Sequence, residues 1–123
     1  MRYDHQLPED IRKYLCCDAV NRGVAVYHDE VYLATLDAHV VALDAKTGKV
    51  MWNTTLVDYK DAYTMTVAPL ILKGKVIVGM SGSEYPIRLL IAALDTEAGK
   101  NLWKTYTIPG PAEKGNDTWK GDA

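Results

Sequence analysis

Phenylalanine does not occur in this 123-residue sequence, although Tyr occurs eight times and Trp three times. Aromatic packing must therefore come from side chains carrying a hydroxyl or an indole N–H that needs a partner when buried. Cysteine occurs only twice, which excludes a disulfide-framework mini-protein. The longest uninterrupted apolar run is six residues, 89–94, far short of the roughly 20 that a membrane-spanning helix needs. Positive charge is not in excess either. Fourteen Lys and Arg stand against sixteen Asp and Glu, for a formal net charge of -2. No bulk field is available for nucleic acid or anionic lipid. No charged start followed by an apolar stretch opens the sequence, so no secretory signal is expected within it. What is present, 48% hydrophobic and 24% charged residues, is the balance of a soluble globular chain of single-domain length.

A repeat changes the picture. ALDAKTGKVMW at 42–52 returns as ALDTEAGKNLW at 93–103, with Ala, Leu, Asp, Gly, Lys and Trp at a constant offset of 51 residues. Two unrelated hairpins with common turn residues would not match six times at one offset. Self-similarity at such a period marks propeller blades or other stacked arrays. Each copy reads as strand, tight turn, strand. The Asp can accept from backbone donors in the turn, and the Gly can take a positive φ. The Trp then falls on the outgoing strand, where it can pack over a small Ala.

Strand signals fill the rest of each unit. Residues 24–27 (VAVY), 31–36 (VYLATL), 40–43 and 50–56 make the first set. Residues 64–72, 75–80, 89–94 and 101–108 make the second, with turn signals about every 8–12 residues. Residues 8–15 (PEDIRKYL) predict a short helical turn opened by Pro and two acids, and loop chemistry dominates from Pro109 onward. The expected fold is all-β, a β-propeller fragment of about two four-stranded blades. Residues 1–22 would end a preceding blade and make the connection carrying the cysteines. Residues 23–60 would form a first blade, 61–108 a second, and 109–123 a loop leading to the next.

Three segments offer candidate chemistry. The first is CCDAVNRG at 16–23. Neighbouring Cα atoms lie about 3.8 Å apart, below the usual disulfide span of about 4.4–6.8 Å, so two separate thiols and a strained ring both remain open for Cys16 and Cys17. Arg22 has the planar fork that suits a carboxylate, or a surface salt bridge; Asn21 and Gly23 read as turn chemistry. The second is TMTVAP at 64–69, a strand with hydroxyls on alternate positions. The third is SGSEYPIR at 81–88, a Gly/Ser-rich loop after an apolar strand, with one carboxylate. His5, His28 and His39 are scattered, with no spacing suited to a shared metal, and His39 reads as a surface residue.

These residues carry a family resemblance. The two Ala-x-Asp-x-x-x-Gly-Lys-x-x-Trp copies resemble the tryptophan-docking motif of the PQQ-dependent (quinoprotein) alcohol dehydrogenases. Those enzymes are eight-bladed propellers holding pyrroloquinoline quinone and a calcium or lanthanide ion. The three segments above resemble the family's cofactor-binding segments. The resemblance implies that Cys16 and Cys17 form a ring disulfide against one face of the quinone and that Arg22 pairs with a quinone carboxylate. It also implies that Thr66 donates to the cofactor, that Ser81, Gly82 and Ser83 cradle its carboxylates, and that Glu84 is a metal ligand. Pro86 and Leu89 depart from the resemblance, standing where the family commonly has glycine.

No catalytic residue is placed in this chain. The family's catalytic aspartate, asparagine metal ligand and stacking tryptophan belong to later blades, and Trp119 is not assigned to stacking. By the resemblance, the parent is a periplasmic enzyme oxidising primary alcohols to aldehydes and passing electrons to cytochrome c or a haem domain. The signal peptide would then have been removed, and the chain alone would bind no quinone and oxidise no alcohol. A reading from another class is a cofactor-free propeller of similar repeats acting as a protein-binding scaffold, for example in outer-membrane protein assembly. The discriminating set is Cys16 and Cys17, Arg22 and Glu84. A third reading is a two-blade protein that self-associates through its open blade edges.

Overall fold

The computed structural model describes residues 2–15, 18–82 and 85–118. Among the described residues, eight strands form two antiparallel meanders. The first sheet is β1 (Ala25–Tyr27), β2 (Glu30–Ala34), β3 (His39–Asp44) and β4 (Val50–Thr55), each paired with the next. The second repeats this order with β5 (Leu70–Leu72), β6 (Lys75–Gly79), β7 (Leu90–Asp95) and β8 (Asn101–Tyr106). The fold is thus all-β, and two four-stranded antiparallel sheets in sequence are a segment of a β-propeller.

The repeat in sequence is a repeat in geometry. In the first copy the Asp44 carboxylate accepts from the N–H groups of Lys46 (2.9 Å) and Thr47 (2.8 Å) and from the Thr47 hydroxyl (3.0 Å). In the second, Asp95 accepts from the N–H of Glu97 at 2.8 Å. Those donors hold the Asp44 carboxyl below the usual carboxylate range, the Thr47 N–H being the largest cause. The ladder then slips at Ala42/Leu43 and again at Ala93/Leu94, so each copy carries the same bulge.

Period-two alternation sets the burial of β2 and β6, whereas the inner strands β3 and β7 are buried on both faces over 40–43 and 92–94. Tyr32, Ala34, Val40 and Ala42 of the first sheet meet Val76, Val78, Leu90, Ala92 and Leu94 of the second, with Leu56, Met65 and Met80 closing the core. Trp52 lies opposite Ala42 in the ladder, and its indole N–H reaches across to the Thr96 carbonyl at 2.9 Å. The Thr54 hydroxyl donates to the Gly99 carbonyl at 2.7 Å. A Cβ on Gly99 would sit 2.3 Å from the Trp52 ring, so the glycine of one repeat is the seat for the tryptophan of the other. Trp103, the equivalent residue one repeat later, is 42% exposed.

Aromatic groups that are buried (Tyr32) or half-buried (Tyr59, Tyr63) find the partners that a sequence without Phe requires. The Tyr32 hydroxyl bonds to Glu30 and lies 3.4 Å from the Thr96 carbonyl. Tyr63 donates to the Arg88 carbonyl at 3.0 Å, and Tyr59 to Asp10 at 2.8 Å.

Two local expectations need correction. Residues 64–72 do not form one strand. Only Leu70–Leu72 is strand, and Thr64 makes a lone bridge to Ser81. Pro69 supplies the reason, since it has no N–H for the ladder and restricts the residue before it. A 3-10 turn at Tyr59–Asp61 was not expected; the Asp58 side chain caps it by accepting from the Lys60 N–H. The expected helical turn in residues 8–15 is present as a 3-10 turn at Ile11–Tyr14.

Candidate functional site

Arg22 lies in the irregular stretch before β1, and Thr66 in the irregular stretch before β5. The two stretches run together. The Arg22 N–H donates to the Thr66 carbonyl at 3.0 Å, and the Arg22 guanidinium donates to the Thr66 hydroxyl. That hydroxyl lies 2.9 Å from the Ser81 hydroxyl. Ser81 is positioned in turn by its N–H, which donates to the Thr64 carbonyl at 2.8 Å. A guanidinium and two hydroxyls, 44 and 15 residues apart in sequence, thus converge on one place.

Gly82 follows directly, at a φ of +126. A Cβ there would fall 2.9 Å from the Ala62 carbonyl oxygen and 2.8 Å from Ile87. The backbone contact is rigid, so the loop leaves Ser81 along a path that only glycine can take. Of the expected site residues, the fold brings together Arg22, Thr66, Ser81 and Gly82. Cys16, Cys17, Ser83 and Glu84 lie outside the described residues, as does Trp119. Among the described residues, no group of three or more His, Cys, Asp or Glu side chains could hold a metal ion.

A second polar cluster was not legible in the sequence. His5 bonds to the Asp37 carboxylate at 2.9 and 3.1 Å, the Thr35 hydroxyl donates to it at 2.6 Å, and His39 stands 3.8 Å away. The Tyr3 hydroxyl lies 3.0 Å from the other nitrogen of His5, and His39 is also 2.8 Å from the Asn53 side-chain oxygen. Asp37 is buried, so these partners satisfy a carboxylate that would otherwise be costly to desolvate. The two histidines that looked scattered are thus joined through one Asp, 32 residues from His5 and two from His39. They fasten the N-terminal segment to the β2–β3 turn.

Two successive four-stranded sheets, locked by a tryptophan of one repeat on a glycine of the next, define a propeller segment with a small cationic and hydroxyl cradle beside its inter-sheet seam. The chain belongs to the PQQ_2 family, described as outer membrane protein assembly factor BamB, whose profile matches residues 6–122. It is 45% identical over 130 residues to the quinohemoprotein alcohol dehydrogenase ADH IIB of Pseudomonas putida, covering 98% of this chain and 19% of that protein. Its fold superposes on a europium-containing methanol dehydrogenase with a TM-score of 0.83 at 37% identity, over 87% of this chain and 19% of the other. For the quinohemoprotein alcohol dehydrogenase of Comamonas testosteroni the TM-score is 0.80 at 40% identity, over 88% of this chain and 16% of the other. The resemblance to quinoprotein alcohol dehydrogenases therefore extends over nearly the whole chain. The chain spans less than a fifth of the length of each of these relatives.

The donor set fits the carboxylates of a quinone such as PQQ. Arg22 brings a planar cationic fork, and Thr66 and Ser81 bring hydroxyls beside it. Among the described residues no carboxylate forms an ion pair with Arg22.

Proposed function

We propose that this chain forms part of the cofactor cradle of a PQQ-dependent alcohol dehydrogenase that oxidises primary alcohols to aldehydes. The observation that carries this reading is the convergence of Arg22, Thr66 and Ser81 from three separate segments. A solvated arginine in a structural repeat has no need of that convergence. The likeness over nearly the whole chain to quinoprotein and quinohemoprotein alcohol dehydrogenases supports it.

In this reading Arg22 binds a cofactor carboxylate through the outer edge of its guanidinium. Thr66 accepts from Arg22 and donates to Ser81, which leaves the Ser81 O–H free for a second carboxylate oxygen. The Gly82 path carries the chain from Ser81 toward Ser83, a further cradle residue, and Glu84, the ligand to a calcium or lanthanide ion. Cys16 and Cys17, bonded to each other, cover one face of the quinone. Two-electron acceptance from the alcohol is the chemistry that the cofactor supplies when bound. This chain contributes binding and orientation; the groups that move the substrate's proton lie in other blades. Electrons pass to cytochrome c or a haem domain, and an oxidising periplasm suits the cysteine pair.

The test is cofactor binding to the full-length protein that carries this segment. Arg22→Ala is expected to weaken PQQ binding by about ten- to a hundredfold, the range for a hydrogen bond to a charged group. The isolated chain is expected to bind no PQQ and to oxidise no alcohol. Unchanged binding in R22A, or micromolar binding by the isolated chain, would sink the respective claim. The description of the matching family favours a second reading, a cofactor-free scaffold for outer-membrane protein assembly. That reading expects a full-length protein with no affinity for PQQ.

A further inference from the structure

Arg22 is flanked by Asn21, whose side chain does more than turn the chain. The β1–β2 register runs Tyr27 opposite Glu30, Val26 opposite Val31 and Ala25 opposite Tyr32. Continued in the same direction, it places Gly23 opposite Ala34. The ladder does not continue that way. The Gly23 N–H donates to the Asn21 side-chain oxygen at 2.8 Å, and the Asn21 side-chain NH2 donates to the Ala34 carbonyl at 2.9 Å. One amide is thus inserted between a backbone donor and acceptor that would face each other if the ladder went on. The strand is held off the sheet edge at this point, and Arg22 leaves the first sheet toward the second, where its own N–H is caught by the Thr66 carbonyl at 3.0 Å.

We infer that Asn21 is a positioning residue for Arg22, aiming the guanidinium at the cofactor carboxylate without touching the cofactor. This inference rests on the proposed role of Arg22 and assigns a new role to its neighbour. Both ends of the Asn21 amide are used, each by a backbone group of a different strand edge. Alanine loses both bonds. Serine keeps an oxygen within reach of the Gly23 N–H and gives up the tie to Ala34. Asn21 is itself exposed, so neither change opens a cavity in the core.

The experiment is a double-mutant cycle in the full-length protein, reading PQQ affinity of the apo form by fluorescence titration and its melting temperature alongside. N21A is expected to raise the Kd about three- to tenfold when Arg22 is present, the cost of ordering on binding a guanidinium that is no longer held in place beforehand. It should leave the Kd unchanged in the R22A background and leave the apo melting temperature nearly unchanged. N21S should fall between wild type and N21A, and it serves if N21A does not fold. An equal loss from N21A in both backgrounds, or no loss with Arg22 present, overturns the positioning role while leaving Arg22 as a ligand. An unchanged Kd in R22A alone overturns the role of Arg22, and this inference with it.

Discussion

Gly99 offers a stringent test of how the two sheets are held together. Replacing it by Ala places a methyl 2.3 and 2.5 Å from ring carbons of Trp52 and 2.7 Å from the Thr54 hydroxyl. Contacts that short cannot persist, so the indole has to move. The indole N–H then leaves the Thr96 carbonyl and the Thr54 hydroxyl leaves the Gly99 carbonyl. The backbone φ of +68 adds its own strain for a residue with a Cβ. Left-handed strain of about 1–2 kcal/mol, two hydrogen bonds of about 0.5–1.5 kcal/mol each and overpacking of about 1–3 kcal/mol total roughly 3–8 kcal/mol. A domain of this kind has only about 5–15 kcal/mol in hand.

Gly74 is the matched control, with a φ of +72 and nothing within 4 Å of an added Cβ. Gly74→Ala should therefore cost only the strain of about 1–2 kcal/mol. The assay is urea denaturation followed by far-UV circular dichroism. G99A and G74A are each made in wild type and in a Trp52→Ala background, where the ring is gone. G99A should be far the worse in wild type and should fall most of the way to the G74A cost once Trp52 is removed, the Thr54 hydroxyl at 2.7 Å accounting for the remainder. Equal costs for the two glycines, or a G99A penalty that survives the loss of Trp52 undiminished, would refute the docking argument.

Two titrations test the electrostatics at the ends of the pH scale. The hydrogen bond to Asp10, followed by desolvation, pushes the Tyr59 phenol up to about 12. Its contribution is present below the unfolded value near 10 and is lost as pH rises from there toward 12. Tyrosinate absorbance should lose one late-titrating group in Tyr59→Phe, while Tyr32, pushed up further by burial and by Glu30, still titrates late. Asp44 has the opposite sign. Its folded carboxyl is held low by the turn donors, so its contribution is present above the unfolded value near 3.9 and is lost as pH falls below that. Asp44→Asn should flatten the acid limb of the urea midpoint, and an unchanged limb would count against the turn geometry.

The candidate site was legible to the extent that its chemistry lay in short motifs. The fork of Arg22 and the Gly/Ser pair at 81–82 could be singled out as residue types, and their meeting with Thr66 follows from two irregular stretches running side by side. The Asp37 cluster was hidden because neither His5 nor His39 has a partner at a regular spacing. Only the folding of the N-terminal segment over the β2–β3 turn brings His5 there, 32 residues away in sequence. The 3-10 turn at Tyr59–Asp61 was missed although Asp58 is a good cap, because a three-residue turn has no periodicity to detect.

By itself the sequence determined the number of strands, the hairpin turns and the repeat. Those depend on side-chain alternation and on turn residues within a few positions of each other. The 51-residue offset in sequence became a matching bulge and a matching turn in each sheet. The lack of Phe forecast aromatics with polar partners, but not which partners. Tertiary structure alone decided that Trp52 bonds to Thr96 and rests on Gly99, since those contacts cross between sheets and no local rule couples them. It also decided that the Asn21 amide would stand between Gly23 and Ala34. A turn residue becomes a bridge only when another strand presents a carbonyl to it.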